Sequence, residues 1–241
     1  CSVVGAKLRL VELPRHTALV ACHFADLIEA MSANLVALET GPAAVELTDR
    51  VLMDLTRNSP EHATTRSFMQ GDPEALLFVE YYGEDPGQLE RKMDEVEERL
   101  RQRGLGYAFV RAQDQAQQKR MWELRKAGLG VLMSMKGDAK PVPGIEDTCV
   151  PVAHLPEYLG RVKRLLADEG VQGVFYAHVS VGVVHIRPVL NLKTVEGIRK
   201  LRRLQERICQ MVAEYGGAMS AEHGDGLARS ALNARLFGPE L

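Results

Sequence analysis

The pattern of hydrophobic and polar positions predicts a chain that mixes strands and helices. Residues 17–24 and 76–82 are nearly continuous apolar runs, which is typical of buried strands. Between residues 86 and 103 the apolar positions recur every three or four residues among many Glu and Arg, which indicates an amphipathic helix with one solvated face. Both periodicities occur in one chain, so we predict an α+β fold.

The first part of the chain has the element order of a split β-α-β unit. Strands are predicted at residues 17–24, 44–48, 76–82 and 107–111, and helices at residues 26–39, 49–57 and 86–103. Apart from the short second helix, the order is strand, helix, strand, strand, helix, strand, which is that of a ferredoxin-like unit. A further strand is predicted at residues 3–10.

The second part of the chain partly repeats this order. After a helix at residues 115–125, a passage rich in Gly and Pro spans residues 128–144. A strand at 146–152, a helix at 155–169, a hairpin at 176–188 and a helix at 194–215 follow, and Gly216-Gly217 ends the last helix. We therefore predict two ferredoxin-like halves, residues 1–127 and 144–241.

Composition limits the kind of protein. The chain has 241 residues, a formal net charge of -2 and ordinary hydrophobic content, so neither nucleic acid nor an anionic membrane surface is favoured as a partner. No apolar run is long enough to span a bilayer. Its four cysteines are far apart in sequence, which suits a reducing cytoplasm. Because the chain begins at Cys1 in an apparent strand, we expect it to be a piece of a longer protein.

Two histidines in the predicted hairpin have a spacing that suits a metal site. If Val181 and Gly182 formed a two-residue loop, His178 would lie directly opposite His185. Opposed residues have Cβ atoms about 4.5–5.5 Å apart, which is close enough for two imidazoles to share one ion. Val-Gly is not a favoured pair for such a turn. Glu222, in a second cluster of ligand-type residues, could complete a site of two histidines and one carboxylate.

Several stretches together resemble the C-terminal domain of FAD-linked oxidases that act on 2-hydroxy acids, such as glycolate oxidases, D-lactate dehydrogenases and D-2-hydroxyglutarate dehydrogenases. The resemblance covers essentially the whole chain and is strongest to large members that are fused to an iron–sulfur domain. The stretches that carry it are Trp122-Glu123-Leu124-Arg125-Lys126, Glu146-Asp147-Thr148-Cys149-Val150-Pro151, the histidine hairpin, and Glu222-His223-Gly224-Asp225-Gly226.

The resemblance implies an antiparallel sheet, covered by helices, that lies over a flavin carried by a separate N-terminal domain. It also implies a divalent metal, often zinc, held by His178, His185 and Glu222, with His223 as the proton acceptor. Arg125 and Lys140 would hold the substrate carboxylate. The implied reaction is hydride transfer from a 2-hydroxy acid to FAD in a cytoplasmic enzyme, with peripheral membrane association open for the full-length protein. By itself this chain, which has no phosphate-cradling glycine motif, is expected to bind no FAD tightly and to be inactive.

The chain departs from the family pattern in two places, and two alternative functions stay open. Four residues after Arg125, Leu129 stands where a hydroxyl residue is common. Many relatives have His-x-Gly-Asp-Gly-Asn-x-His where residues 178–185 here lack the Asp and Asn, so the substrate is not named. A metal-dependent hydrolase would use the same ligand types, although the His-Glu-x-x-His pattern is absent. A non-catalytic interaction domain would keep its histidines buried and would fold unchanged without metal.

Overall fold

A computed structural model of the chain describes residues 3–57, 64–238 and 240, except for the side chains of residues 128, 129 and 131. The strands in these ranges are β1 (His16–Phe24), β2 (Ala44–Asp49), β3 (Ala75–Gly83), β4 (Ala108–Ala112), β5 (Lys140–Pro141), β6 (Thr148–Cys149), β7 (Gly173–His178) and β8 (Val183–Leu190). The helices are α1 (Leu27–Leu38), α2 (Arg50–Leu55), α3 (Pro86–Gln102), α4 (Gln115–Met133), α5 (Leu155–Asp168), α6 (Val195–Glu214), α7 (Gly226–Arg229) and α8 (Asn233–Phe237). None of them is long and apolar enough to cross a lipid bilayer.

All the strands join one antiparallel sheet of order β4-β1-β3-β2-β7-β8-β5, with β6 also paired to β8. The first four strands have the ferredoxin-like order that the sequence predicts. In the second half, β7, β8 and β6 are adjacent, and an isolated bridge joins Cys149 to Ala218. The second half thus has the ferredoxin-like strand order of the first half, but β6 is two residues long and its outer neighbour is only the bridge at Ala218. The halves meet where β2 pairs with β7.

The core lies between one face of the sheet and helices α1, α3, α5 and α6. Alternate residues of each strand enter it, including Val45 and Leu47 of β2, Phe175 and Ala177 of β7, and Val184 and Ile186 of β8. Successive side chains of a strand point to opposite faces, so the residues between these belong to the other face of the sheet. Helices α2 and α4 pack on that other face and cover part of it.

The helix boundaries follow local signals. Asp26 and Asp85 accept backbone N–H groups at the starts of α1 and α3, as N-cap residues do, and Pro86 stands in the first turn of α3. At the end of α6, Gly216 has φ of +67°, a conformation that glycine adopts without strain. Those starts and ends were therefore predictable from the sequence.

Three predicted elements differ in the structure. Residues 3–10 form no strand and are exposed, and none of the segments that the structure describes pairs with them. The strand predicted at 146–152 is reduced to Thr148–Cys149, since Asp147 before it takes a positive φ of 68° and a 3-10 turn begins at Val152 after it. Helix α4 continues eight residues beyond the predicted end at Arg125 to Met133, where packing of Leu132 against Leu52 and Tyr176 extends it despite two glycines.

Candidate functional site

The histidines lie on the sheet face opposite the core. Alternation places Tyr176 and His178 of β7 on this face beside His185 of β8. The His178 and His185 rings meet edge to face with centroids 5.2 Å apart, and the His185 ring stacks on that of Tyr176 at 4.7 Å. The two histidines of the hairpin are thus brought together.

The predicted register of this hairpin is wrong by two residues. Tyr176 is the residue opposite His185, and His178 lies opposite Val183. The loop is longer than two residues because Val179–Val181 form a 3-10 turn and Gly182 has φ of +78°. A Cβ on Gly182 would lie 2.1 Å from the Val150 carbonyl oxygen, so only glycine fits there. A shift of two residues leaves both histidines on the same face, now as diagonal neighbours.

Asp147 holds the turn that presents Glu222 and His223. Its carboxylate accepts the Ser220 hydroxyl at 2.6 Å and the backbone N–H groups of Glu222 and His223 at 3.1 and 2.9 Å. Although burial opposes ionisation, these hydrogen bonds hold the pKa of Asp147 below its usual range. Because the chain turns here, the neighbours Glu222 and His223 both enter one cleft. Sequence reasoning assigned no role to Asp147, although the residue belongs to the matched stretch Glu146-Asp147-Thr148-Cys149-Val150-Pro151.

Three imidazoles surround the carboxylate of Glu222. The Nε2 atoms of His178, His185 and His223 lie 3.4, 3.5 and 3.4 Å from Glu222 Oε1. Two ligands bound tetrahedrally at about 2.1 Å from a zinc ion are separated by about 3.4 Å. The donor set of imidazole nitrogens and a carboxylate oxygen therefore fits a divalent transition metal in both chemistry and spacing.

A different set of ligand-type groups, Asp147, His185, Glu222 and His223, also has its atoms within 4.8 Å of one another. His178 does not belong to that set, although its Nε2 faces Glu222. We favour His178 over Asp147 as a ligand because both Asp147 oxygens already accept hydrogen bonds from the turn.

The protonation states of the histidines differ. Burial, followed by the charges of His178 and His223, lowers the pKa of His185 to about 3, so its ring is neutral at pH 7. The hydrogen bond to Glu46 raises the pKa of His178. A neutral imidazole is the form that binds a metal ion.

Two arginines accompany the histidines in this cleft of about 290 Å³, which Leu52, Arg125, Lys126, Tyr176, His178, His185, Arg187, Glu222 and His223 line. Arg125 pairs with Glu46 at 2.9 Å, and Arg187 pairs with Glu146 at 2.5 Å. Sequence reasoning missed Arg187, although a residue two positions after His185 on a strand shares its face.

Lys140 does not line this cleft. It lies on β5, is exposed and donates to the carbonyl of Met135. Its predicted place beside Arg125 at the substrate carboxylate therefore stays a prediction. A larger groove of about 430 Å³ borders α6 and α8, but its lining contains none of the ligand-type histidines.

The sequence profile of a family described as "FAD linked oxidases, C-terminal domain" matches residues 13–241. The chain belongs to this family. Among its relatives, D-2-hydroxyglutarate dehydrogenase of Haemophilus influenzae is 28% identical over 250 residues, which cover 99% of this chain and 24% of that protein. D-lactate dehydrogenase of Archaeoglobus fulgidus is 26% identical, with 98% of this chain and 49% of that protein covered. The FAD-linked oxidase domain described here thus spans about a quarter to a half of the length of these relatives.

A solved structure of 4-ethylphenol oxidase from Gulosibacter chungangensis resembles this domain with a TM-score of 0.66. Sequence identity is 11%, and the match covers 95% of this chain and 49% of that one. At this identity the likeness concerns the fold alone. It supports the predicted α+β fold with its antiparallel sheet.

Proposed function

We propose that this chain is the substrate-binding and metal-binding part of an FAD-dependent dehydrogenase of 2-hydroxy acids. The observation that carries the proposal is the meeting of His178, His185, Glu222 and His223 in one cleft with two arginines. Membership of the FAD-linked oxidase family supports it, as do relatives named for oxidising D-2-hydroxyglutarate and D-lactate.

His178, His185 and Glu222 are the residues that would hold a divalent metal, with zinc the expected ion. When bound, such an ion supplies a Lewis acid that lowers the pKa of the substrate hydroxyl. FAD, when bound by the rest of the protein, supplies the hydride acceptor. This chain contributes the binding and orientation of the substrate and the handling of its proton.

His223 is the proposed general base. Its side chain is about half exposed to the cleft at 47%, so a substrate hydroxyl can reach it. The proton taken at Nε2 makes the ring a cation, and Glu146 Oε1 lies 3.8 Å from the opposite nitrogen, Nδ1, where it stabilises that charge. The Asp147 carboxylate keeps His223 in place by accepting the backbone N–H of His223.

Arg125 is the proposed carboxylate-binding residue, with Lys140 as its predicted companion. A guanidinium binds a carboxylate through two parallel N–H groups, and Arg125 presents its side chain to the cleft with only 14% exposed. The Arg187 guanidinium also lies near Tyr176, with its carbon 6.0 Å from the ring centroid, and adds a second positive charge. A small acid with one or two carboxylates suits such a cleft.

The proposal extends to the protein that contains this chain. An FAD-binding domain in the same protein is required, and an iron–sulfur domain would pass the electrons onward. We place the enzyme in the cytoplasm. These points rest on the family and on the resemblance to its large members, not on contacts in this structure.

The test uses the intact natural protein with glycolate, D-lactate and D-2-hydroxyglutarate as candidate substrates. Bleaching of the flavin absorbance is measured without oxygen before chelation, after chelation and after zinc, cobalt or manganese is returned. We expect at least one acid to reduce the flavin, reduction to stop on chelation and metal to restore it. A His185→Ala variant should stay inactive when metal is returned. If none of the acids reduces the flavin, or if chelation has no effect, the proposal is wrong.

A further inference from the structure

Glu46 contacts two residues that line the cleft, His178 and Arg125, but belongs neither to the family motifs nor to the cluster of metal-type ligands. It belongs to β2, in the first half of the chain, and lies directly opposite His178 of β7 where the two halves of the sheet meet. Its carboxylate lies 2.7 Å from His178 Nδ1 through Oε1, and its Oε2 lies 2.9 Å from Arg125 Nη2. One side chain from the first half therefore contacts both a proposed metal ligand and the proposed carboxylate-binding residue.

This contact determines which nitrogen of His178 faces the cluster. An ionised carboxylate only accepts hydrogen bonds, so His178 Nδ1 donates to Glu46 and carries the proton of the neutral ring. The lone pair is then on Nε2, the atom 3.4 Å from Glu222 Oε1. A carboxylate that accepts from the second nitrogen of a histidine fixes its tautomer and its ring orientation, and makes the first nitrogen a stronger ligand.

His178 depends on such an anchor more than His185 does. The His185 ring is 3% exposed and lies between the rings of Tyr176 and His223, at 4.7 and 5.3 Å. The His178 side chain is 35% exposed and stands at the last position of β7, beside the hairpin turn. Ring stacking alone therefore holds His185 in place, whereas His178 needs a hydrogen-bonding partner.

We propose that Glu46 is a positioning residue that orients His178 toward the metal. Its second contact holds Arg125 at a set distance from the metal. The inference rests on the proposed function of this cleft. It also explains how the first half of the chain takes part in the site. Strand β2 pairs with β7 at His178, and among the described residues Glu46 is the polar partner that β2 brings to His178 Nδ1.

The test measures the affinity of the intact protein for Co²⁺ and Zn²⁺ by competition with a chelator, without substrate. Glu46→Ala should weaken metal binding by about 10–100-fold, the usual cost of losing a partner of a ligating histidine. Glu46→Gln should weaken it less, because its amide oxygen still accepts from Nδ1 but carries no charge. Glu80→Gln is the matched control, since Glu80 is a half-buried carboxylate of the neighbouring strand β3 that hydrogen-bonds Tyr82 and Trp122 instead of His178 and Arg125, and the variant should bind metal as the parent does.

A double-mutant comparison separates positioning from general loss of structure. In a His178→Ala background, Glu46→Ala should cause no further loss of metal affinity, because Glu46 acts through that ring. An equal loss in both backgrounds would show a merely structural role and would overturn the inference. If Glu46→Ala does not fold, Glu46→Gln is used in the same comparison, and an affinity equal to that of the parent would overturn it.

Failure of this inference and failure of the proposed function are distinguishable. If the parent binds metal and the Glu46 variants bind it equally well, only the role of Glu46 is refuted. If the parent binds neither metal, both are refuted.

Discussion

The carboxylate of Asp147 accepts the backbone N–H of His223 at 2.9 Å, across 76 positions of the sequence. The same carboxylate accepts the N–H of Glu222, so one buried residue holds the backbone from which both Glu222 and His223 enter the cleft. Asp147 does so from the left-handed conformation, with φ of 68°. Non-glycine residues adopt that conformation at a cost of about 1–3 kcal/mol, which other contacts must offset.

Asp147→Gly should therefore uncouple the turn from the site without adding backbone strain. We expect metal affinity to fall by roughly 10–100-fold, as for other residues that orient metal ligands. Asp147→Asn, which tolerates the left-handed conformation and keeps one acceptor oxygen, should lose less. Metal titration of both variants checks this, and equal affinity of the glycine variant and the parent would contradict it.

His223→Ala and Glu222→Ala should have different effects on metal and on turnover. His223→Ala should retain metal and lose about 10²–10⁴-fold of kcat, the range for a missing general base. Glu222→Ala should lose metal and turnover together. Metal content and kcat are measured on the same preparations. Because His223 Nε2 lies as close to Glu222 Oε1 as His178 Nε2 does, an empty metal site in His223→Ala would make His223 a ligand instead.

Arg125→Met should raise KM for the 2-hydroxy acid by roughly 10–100-fold, because a charge-assisted hydrogen bond contributes about 1.5–3 kcal/mol. Lys140→Met should raise KM by much less, because the Lys140 ammonium donates to the Met135 carbonyl and does not line the cleft. Steady-state kinetics of both variants compare the two cations. An equally large effect of Lys140→Met would show that the segment carrying Lys140 moves onto the substrate.

Gly182→Ala should destabilise the protein strongly, because its Cβ would lie 2.1 Å from the Val150 carbonyl oxygen. Gly104→Ala is the matched control, since Gly104 also has a positive φ, of +66°, but has open space around it. The control should lose only about 1–2 kcal/mol of unfolding free energy, the cost of a left-handed backbone for a residue with a Cβ. Thermal unfolding compares the two, and similar losses in Tm would show that the hairpin can move away from Val150.

Asp49 should make stability depend on pH. It is buried where β2 ends, accepts the N–H groups of Leu52 and Phe175, and burial raises its pKa to about 7. The ordinary pKa of Asp is about 3.9, so between these pH values the folded protein holds a proton that the unfolded chain has lost. The stabilising contribution of Asp49 is therefore complete below about pH 4 and is lost as the pH rises through about 7.

Urea unfolding of the parent and of Asp49→Asn, at several pH values between about 4 and 8, measures this contribution. As the pH rises, the free energy of unfolding of the parent should fall relative to that of Asp49→Asn. A constant difference between parent and Asp49→Asn would contradict the prediction.

Much of the fold was predictable because helix and strand periodicities are local. The nearly continuous apolar runs at residues 17–24 and 76–82 and the helical spacing in 86–103 predict β1, β3 and α3 within a residue or two. Ligand-type residues in a specific order likewise predicted that His178, His185 and Glu222 would be near one another, and the structure brings them together.

The sequence by itself thus determined most of the elements, the ferredoxin-like order and the chemical type of the cleft. Tertiary structure alone decided which strands lie side by side, and with it the hairpin register and the contacts of Glu46 and Asp147. These contacts join residues 132 and 75 positions apart, so no local pattern encodes them. Register in particular depends on how the turn packs: Gly182 lies against Val150, and Asn34 donates to the Val179 carbonyl, which lengthens the loop by two residues and moves His178 from opposite His185 to its diagonal.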